Sequence, residues 1–352
     1  MTRQQETLIG LVERYSPSGS ESTAVGWLVE RMHALGYSRA FCDDAGNSVG
    51  ILGDGPGQIV LLGHIDTVPG EIPVRVENGL LFGRGSVDAK GPLAAFVDAA
   101  ARIGPVPGWQ IVVIGAVEEE RESDGARYVS AQHRPRFAVV GEPSGWDRIT
   151  LGYRGILRFR IRAQQAIGHS AAADAGACGM AVECWNRLVE TCRRENDGCE
   201  RRFDQLGPFL GGMRADSDGF TERAVLEGNI RLPLRISPEK MTALLRDIES
   251  PGVSVEPFGT PLPAFRAEKT TPLVGALLAG IRSSGGVPGF NLKLGTSDIS
   301  LIGPAWNCPM AVYGPGDSAL DHTPDECISL EEYDRAIRVL QDALKRVMTP
   351  HR

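Results

Sequence analysis

The chain has 352 residues and a formal net charge of −7. Hydrophobic residues make up 42% and charged residues 23%, enough apolar material to bury a core and too little charge for global disorder. The acidic balance weighs against nucleic acid as the main partner, and no apolar run of about 18 residues is present to make a transmembrane helix. The N-terminus has no apolar signal segment, and the seven scattered cysteines include no CxxC pair. Reduced thiols in a cytoplasm are therefore expected.

Helical spacing predicts helices over 3–15 and 21–35, the second ended by Gly36. Short apolar runs at 49–52 and 59–62 read as strands around a turn at 54–57. A helix is expected over 91–103. A continuous apolar strand at 111–117 follows, then a helix over 126–132 and a strand at 137–140. Such alternation indicates an α/β layer architecture. From about 152 the character changes. Residues 157–163 alternate apolar and arginine positions, as in an antiparallel strand with one wet face. A helix at 175–194, a strand at 225–234, a helix at 238–248 and a strand at 253–257 complete a segment like a ferredoxin-like β-α-β-β-α-β unit. After Pro261 the α/β pattern returns, with a helix at 272–284, a strand at 309–312 and a final helix from Ser329. The expected organisation is one α/β domain, 1–151 plus 260–352, with a second α+β domain inserted at 152–259.

Chemistry-bearing residues follow the apolar strands. His64 and Asp66 follow the run at 59–62 and share a face in extended chain. A neutral imidazole oriented by a carboxylate is a good zinc ligand. Asp88 lies in a glycine-rich turn that opens a helix. The turn lacks the third glycine of a dinucleotide fingerprint, which argues against a nicotinamide-dependent dehydrogenase. Glu118, Glu119 and Glu120 directly follow the strand at 111–117, where adjacent carboxylates are costly without cations. Glu142 follows the strand at 137–140, and His322 lies in a Gly/Pro-rich loop after 309–312. Each alone can be an ordinary polar loop. Five such strand ends in one α/β domain point to one metal site.

Seven stretches, in order, carry a resemblance to a known family: GHIDTVPG, GRGSVDAKGPLAAF, GAVEEE, GEPS, LGYRG, GTSD and YGPGDSALDHTPDE. The chain resembles the dizinc aminoacylase/carboxypeptidase family, which includes acetylornithine deacetylase and succinyl-diaminopimelate desuccinylase. Within it, the chain is most similar to the amino-group carrier protein lysine/ornithine hydrolases. The resemblance implies a zinc-peptidase-like catalytic domain with an inserted dimerisation (lid) domain, two zinc ions and a homodimer. Cobalt or manganese also suits such a ligand set. It implies that His64 and Glu142 hold one zinc, Glu120 and His322 the other, and that Asp88 bridges both. Asp66 tunes His64. Without a gap, Glu119 is the general base and Glu120 a ligand. A one-residue shift makes these Glu118 and Glu119. A cis peptide is implied at Asp88–Ala89.

The Gly168-His169-Ser170 element implies an oxyanion-stabilising His169 that reaches across the dimer. Gly295, Thr296 and Ser297 match a loop that holds the substrate carboxylate, and Asn229 and Arg231 are further substrate contacts. The departures are Ala89 after the bridging acid, Ile299-Ser300 after GTSD, and Pro233. They bear on the substrate more than on the chemistry. The implied reaction is cleavage of an amide to release lysine or ornithine from an acidic carrier protein. Arg158, Arg160, Arg162, Arg193, Arg194, Arg201 and Arg202 are available as a basic rim for it, or as solvated surface. The rivals are a small-molecule deacylase or dipeptidase, and an inactive scaffold of the same fold.

Overall fold

The computed structural model describes residues 5–169 and 175–349. The chain divides into two compact units. One comprises 1–152, 267–292 and 301–352; the other comprises 153–266 and 293–300. Compared with the expected insertion, the second unit extends to Arg266 and also takes the short segment Lys293–Ser300.

The first unit is built on a mixed sheet. Its strands lie in the order Arg39–Cys42, Ser48–Leu52, Trp109–Ala116, Gly57–His64, Phe137–Gly141, Met310–Val312, Arg148–Tyr153. The central members, Trp109–Ala116, Gly57–His64, Phe137–Gly141 and Met310–Val312, run parallel. Parallel strands are covered on both faces, so their sequences are runs of Val, Ile and Leu without alternation. Ile59, Val60, Leu61 and Leu62 are fully buried, as are Val112, Val113 and Ile114.

Helix Lys90–Ile103 packs on these central strands. Its close approach depends on glycine. A Cβ at Gly63 would lie 3.1 Å from Leu93 Cβ, and one at Gly141 would lie 2.8 Å from the Phe96 ring. Helix Leu330–Met348 covers Lys90–Ile103 and packs against helix Pro272–Ser283. Ser329 caps the former by accepting from Glu332 N–H, and Thr271 caps the latter by accepting from Val274 N–H.

The second unit is a four-stranded antiparallel sheet in the order Gly207–Ser217, Thr221–Leu232, Gly155–Ala166, Val253–Leu262. Numbered within the unit, that order is 2-3-1-4, the ferredoxin-like arrangement. Leu157, Phe159 and Ile161 point into a core shared with Leu226, Ile230 and Val255 and with helices Ala177–Glu195 and Pro238–Arg246. The intervening arginines are more exposed. Three of the proposed rim arginines have acidic partners: Arg160 with Glu227 at 2.8 Å, Arg162 with Glu256 at 3.1 Å, and Arg193 with Glu190.

Several elements differ from the sequence expectation. Strand Gly207–Ser217, which completes the four-stranded sheet, was not expected. It is an edge strand, exposed along most of its length, with two adjacent glycines and a register shift, so no apolar alternation marks it. The strand expected at 225–234 runs instead over Thr221–Leu232, because Pro233 cannot donate to the ladder. Arg148–Tyr153 and Gly289–Lys293 are strands that pair with one another, and neither carried a clear signal. The first helix is shorter than 3–15, running over Glu6–Val12.

Replacing Phe96 by Ala would empty space where the helix meets the strand ends, since Phe96 is fully buried. The expected loss is about 3–5 kcal/mol of unfolding free energy, read by denaturant titration. A loss under about 1 kcal/mol would contradict the packing described.

Candidate metal centre

The parallel strands end level with one another. His64 is in register with Ala116, and Gly63 with Gly141. The residues that follow, 117–120 and 142, therefore emerge beside His64 at the carboxyl edge of the sheet. Open α/β sheets place their sites there. Met310–Val312, alongside Phe137–Gly141, feeds the loop that carries His322 at the same edge.

His64 ends strand Gly57–His64 and Asp66 lies in the turn after it, and both are buried. The two nitrogens of His64 have different partners. Nδ1 lies 3.1 Å from the Asp66 carbonyl oxygen and 3.4 Å from its Oδ1. Nε2 lies 3.2 Å from Asp88 Oδ1. The second oxygen of Asp88, Oδ2, lies 3.0 Å from His322 Nε2. That same His322 nitrogen lies 2.9 Å from Glu120 Oε1. The Asp88 carboxylate thus faces one imidazole with each oxygen. Ligand atoms of His64, Asp88 and Glu120 lie within 4.8 Å of one another. The Asp88–Ala89 peptide is cis.

Asp66 orders its surroundings. Its Oδ1 accepts from Glu119 N–H and its Oδ2 from Glu120 N–H, each at 3.1 Å. Its Oδ2 also accepts from the Ser18 hydroxyl at 2.7 Å. One buried carboxylate thereby fixes the imidazole of His64 and the backbone of the glutamate run. Ser18 was not recognised in the sequence, because its role depends on a partner 48 residues away. Glu142 is buried at the end of its strand. Glu118 has a left-handed backbone (φ 62°) and its carboxylate pairs with Arg121 at 3.3 Å, away from the His322 contact that Glu120 makes.

The charged groups of the cluster shift one another. Burial alone would lower the His64 pKa, but its hydrogen bonds to Asp66 and Asp88 outweigh it and hold it well above 6.5. His322 is raised to about 10, first by its hydrogen bond with Asp88 and then by that with Glu120. Asp88 is buried, which works to raise its pKa, yet its two histidine partners hold it below the usual carboxylate range. The donor set of imidazole and carboxylate, with one carboxylate shared between two histidines, suits divalent transition metals.

The remaining residues of interest belong to the second unit. Arg231 donates to Thr296 Oγ1, and that hydroxyl donates to the Arg154 carbonyl at 3.1 Å. Arg154 Nε donates to the Leu294 carbonyl at 2.9 Å, beside Gly295 and Ser297. Arg154, not singled out in the sequence, is buried, and its pKa falls to about 10 through burial, then through Arg231 and Arg202. Asn229 is paired with Arg158 across the ladder. His169 is exposed beyond the end of Gly155–Ala166, and its neighbour Ser170 lies outside the described residues.

An α/β sheet whose carboxyl edge gathers two histidines around a shared aspartate has the donor set of a divalent-metal enzyme. The profile of the peptidase family M20/M25/M40 matches residues 60–346. The chain belongs to that family and binds divalent metal. It is 42% identical to the LysW-lysine hydrolase of Deinococcus radiodurans, over 95% of this chain and 94% of that protein. A Thermococcus kodakarensis protein with a provisional LysW-lysine/LysW-ornithine hydrolase name is 39% identical, over 97% and 91%. The fold is similar to that of an M20 family metallo-carboxypeptidase from Sulfolobus solfataricus. That structure has a TM-score of 0.80 at 17% identity and covers 99% of this chain and 100% of its own. Among the described residues, no helix is long and apolar enough to cross a membrane.

The carboxylates beside His64 and His322 favour the protonated form of both imidazoles, and an imidazole that binds a metal must be neutral. Loading the stripped protein with Zn(II) at pH 7 should therefore release protons, at most one for each imidazole. Calorimetry in two buffers of different ionisation enthalpy reads that number. Uptake of metal with no proton release would contradict the imidazole assignment.

Proposed function

We propose that this enzyme cleaves the amide that joins lysine or ornithine to the γ-carboxyl of the C-terminal glutamate of an acidic amino-group carrier protein of the LysW type. The observation that carries the hydrolytic part is Asp88, with each carboxylate oxygen on a different histidine. The substrate part rests on the names of relatives matched over nearly the whole chain.

In this reading two zinc ions are held by His64 and Glu142 on one side, by Glu120 and His322 on the other, and by Asp88 between. Bound there, they would polarise the amide carbonyl and make water a stronger acid. The glutamate run is read without a shift, because it is Glu120 that reaches His322, a place the shifted register would give to Glu119. Glu119 is then the general base. Its backbone is held by Asp66, and its carboxylate takes a proton from the attacking water and returns it to the leaving amine. The products are the free α-amino acid and the carrier's carboxylate.

The enzyme acts as a homodimer in this account. The second unit serves as the dimerising element, and its His169 stabilises the oxyanion in the site of the other copy. Arg231, Thr296 and their neighbours Gly295 and Ser297 hold the amino acid's carboxylate, with Asn229 nearby on the same strand. The acidic partners of Arg160, Arg162 and Arg193 leave those arginines poorly suited to a dedicated basic rim.

Turnover of carrier-linked lysine and carrier-linked ornithine, against N-acetylornithine and succinyl-diaminopimelate, tests the substrate. Preference for a carrier-linked amine is expected, and preference for a small acyl group would overturn it. Glu119→Gln should keep metal content and lower kcat by about 10²–10⁴-fold. A rate near wild type would remove Glu119 from the role of base.

A further inference from the structure

One fully buried carboxylate takes no part in the cluster above. Glu326 has 0% exposure. It stands just before strand Cys327–Ser329, which pairs with Leu80–Phe82 and so anchors it. Four donors converge on its carboxylate from the loop that ends in Asp88. Oε1 accepts from Val87 N–H at 2.9 Å and Asp88 N–H at 3.0 Å. Oε2 accepts from Gly85 N–H at 3.1 Å and from Arg84 Nη1 at 2.9 Å.

Arg84 continues the tie. Its Nη1 also donates to the Thr323 carbonyl at 3.1 Å, one residue beyond His322. Its Nε donates to the Gly70 carbonyl at 2.9 Å, in the loop after Asp66. The Gly83 N–H closes the ring on the Glu326 carbonyl at 3.3 Å. Three backbone N–H groups that no helix or sheet ladder uses are thus turned to one point. The same pair joins the loops of Asp88 and His322, which are more than 230 residues apart in sequence.

We propose that Glu326, with Arg84, is a positioning residue that sets Asp88 and His322 as a preformed pair for the metal centre. This rests on the metal-centre reading given above. A buried ion pair need not stabilise a fold more than apolar residues would, so stability alone does not account for this one. Outer groups that hold ligands in place typically change metal affinity by about 10–100-fold when removed. Because Glu326 grips the loop of the shared ligand, its loss should affect uptake of both ions.

The test is titration of metal-stripped protein with Co(II), followed by the visible absorption of the bound ion. Wild type, Glu326→Gln and the double variant Arg84→Met/Glu326→Gln are compared, the last to remove both buried charges if the single variant does not fold. Unfolding midpoints are measured in parallel. The folded variants should bind Co(II) about 10–100-fold more weakly, with an altered absorption band. Wild-type affinity and band shape in either folded variant would overturn the proposal, whatever the unfolding midpoint. Wild-type protein that takes up no Co(II) would instead overturn the metal-centre reading, and this proposal with it.

Discussion

The shared carboxylate of Asp88 is the constraint on which the site depends. It has an imidazole on each oxygen, one from the end of strand Gly57–His64 and one from the loop after Met310–Val312. A carboxylate in that position must be held from behind, since its own side chain is committed on both sides. The backbone supplies the hold. Glu326 takes the N–H groups of residues 85, 87 and 88, and helix Lys90–Ile103 begins immediately afterwards. The direction of that helix is set in turn by glycines at the strand ends, where a side chain would collide with Leu93 or Phe96.

Asp66 is the second organiser. It spends its oxygens on Ser18 and on the backbone of Glu119 and Glu120, and it stands against His64. This accounts for three adjacent glutamates at the end of a buried strand. They are not left to repel one another in one plane. Left-handed backbone at Glu118 turns that residue towards Arg121, while Glu120 goes to His322. Buried acids of this density are tolerated where cations or protons balance them. The same acids raise the pKa values of the two histidines they face.

The parallel strands were legible in the sequence because burial on both faces leaves an uninterrupted apolar run, as at 111–116. The alternating strand at 157–163 was legible for the opposite reason, one wet face. Gly207–Ser217 was not, since an exposed edge strand with glycines at its centre has no pattern to read. His64, Asp88, Glu120 and His322 could be picked out as acids and histidines after apolar strands. The choice within the glutamate run could not be made, because adjacent identical residues carry no register. It rests on which carboxylate reaches His322, a contact made across 202 residues of sequence. Ser18, Arg154 and Glu326 were missed for a common reason. Each acts through backbone or side chains distant in sequence, and none belongs to a residue type or spacing that signals this locally.

The central claim is that Asp88 joins two cation positions. Anomalous diffraction at the zinc edge from crystals of the zinc-loaded enzyme measures this directly. Two peaks flanking the Asp88 carboxylate are predicted, one on the side of His64 and Glu142 and one on the side of Glu120 and His322. A single peak, or peaks that do not touch Asp88, would contradict the account.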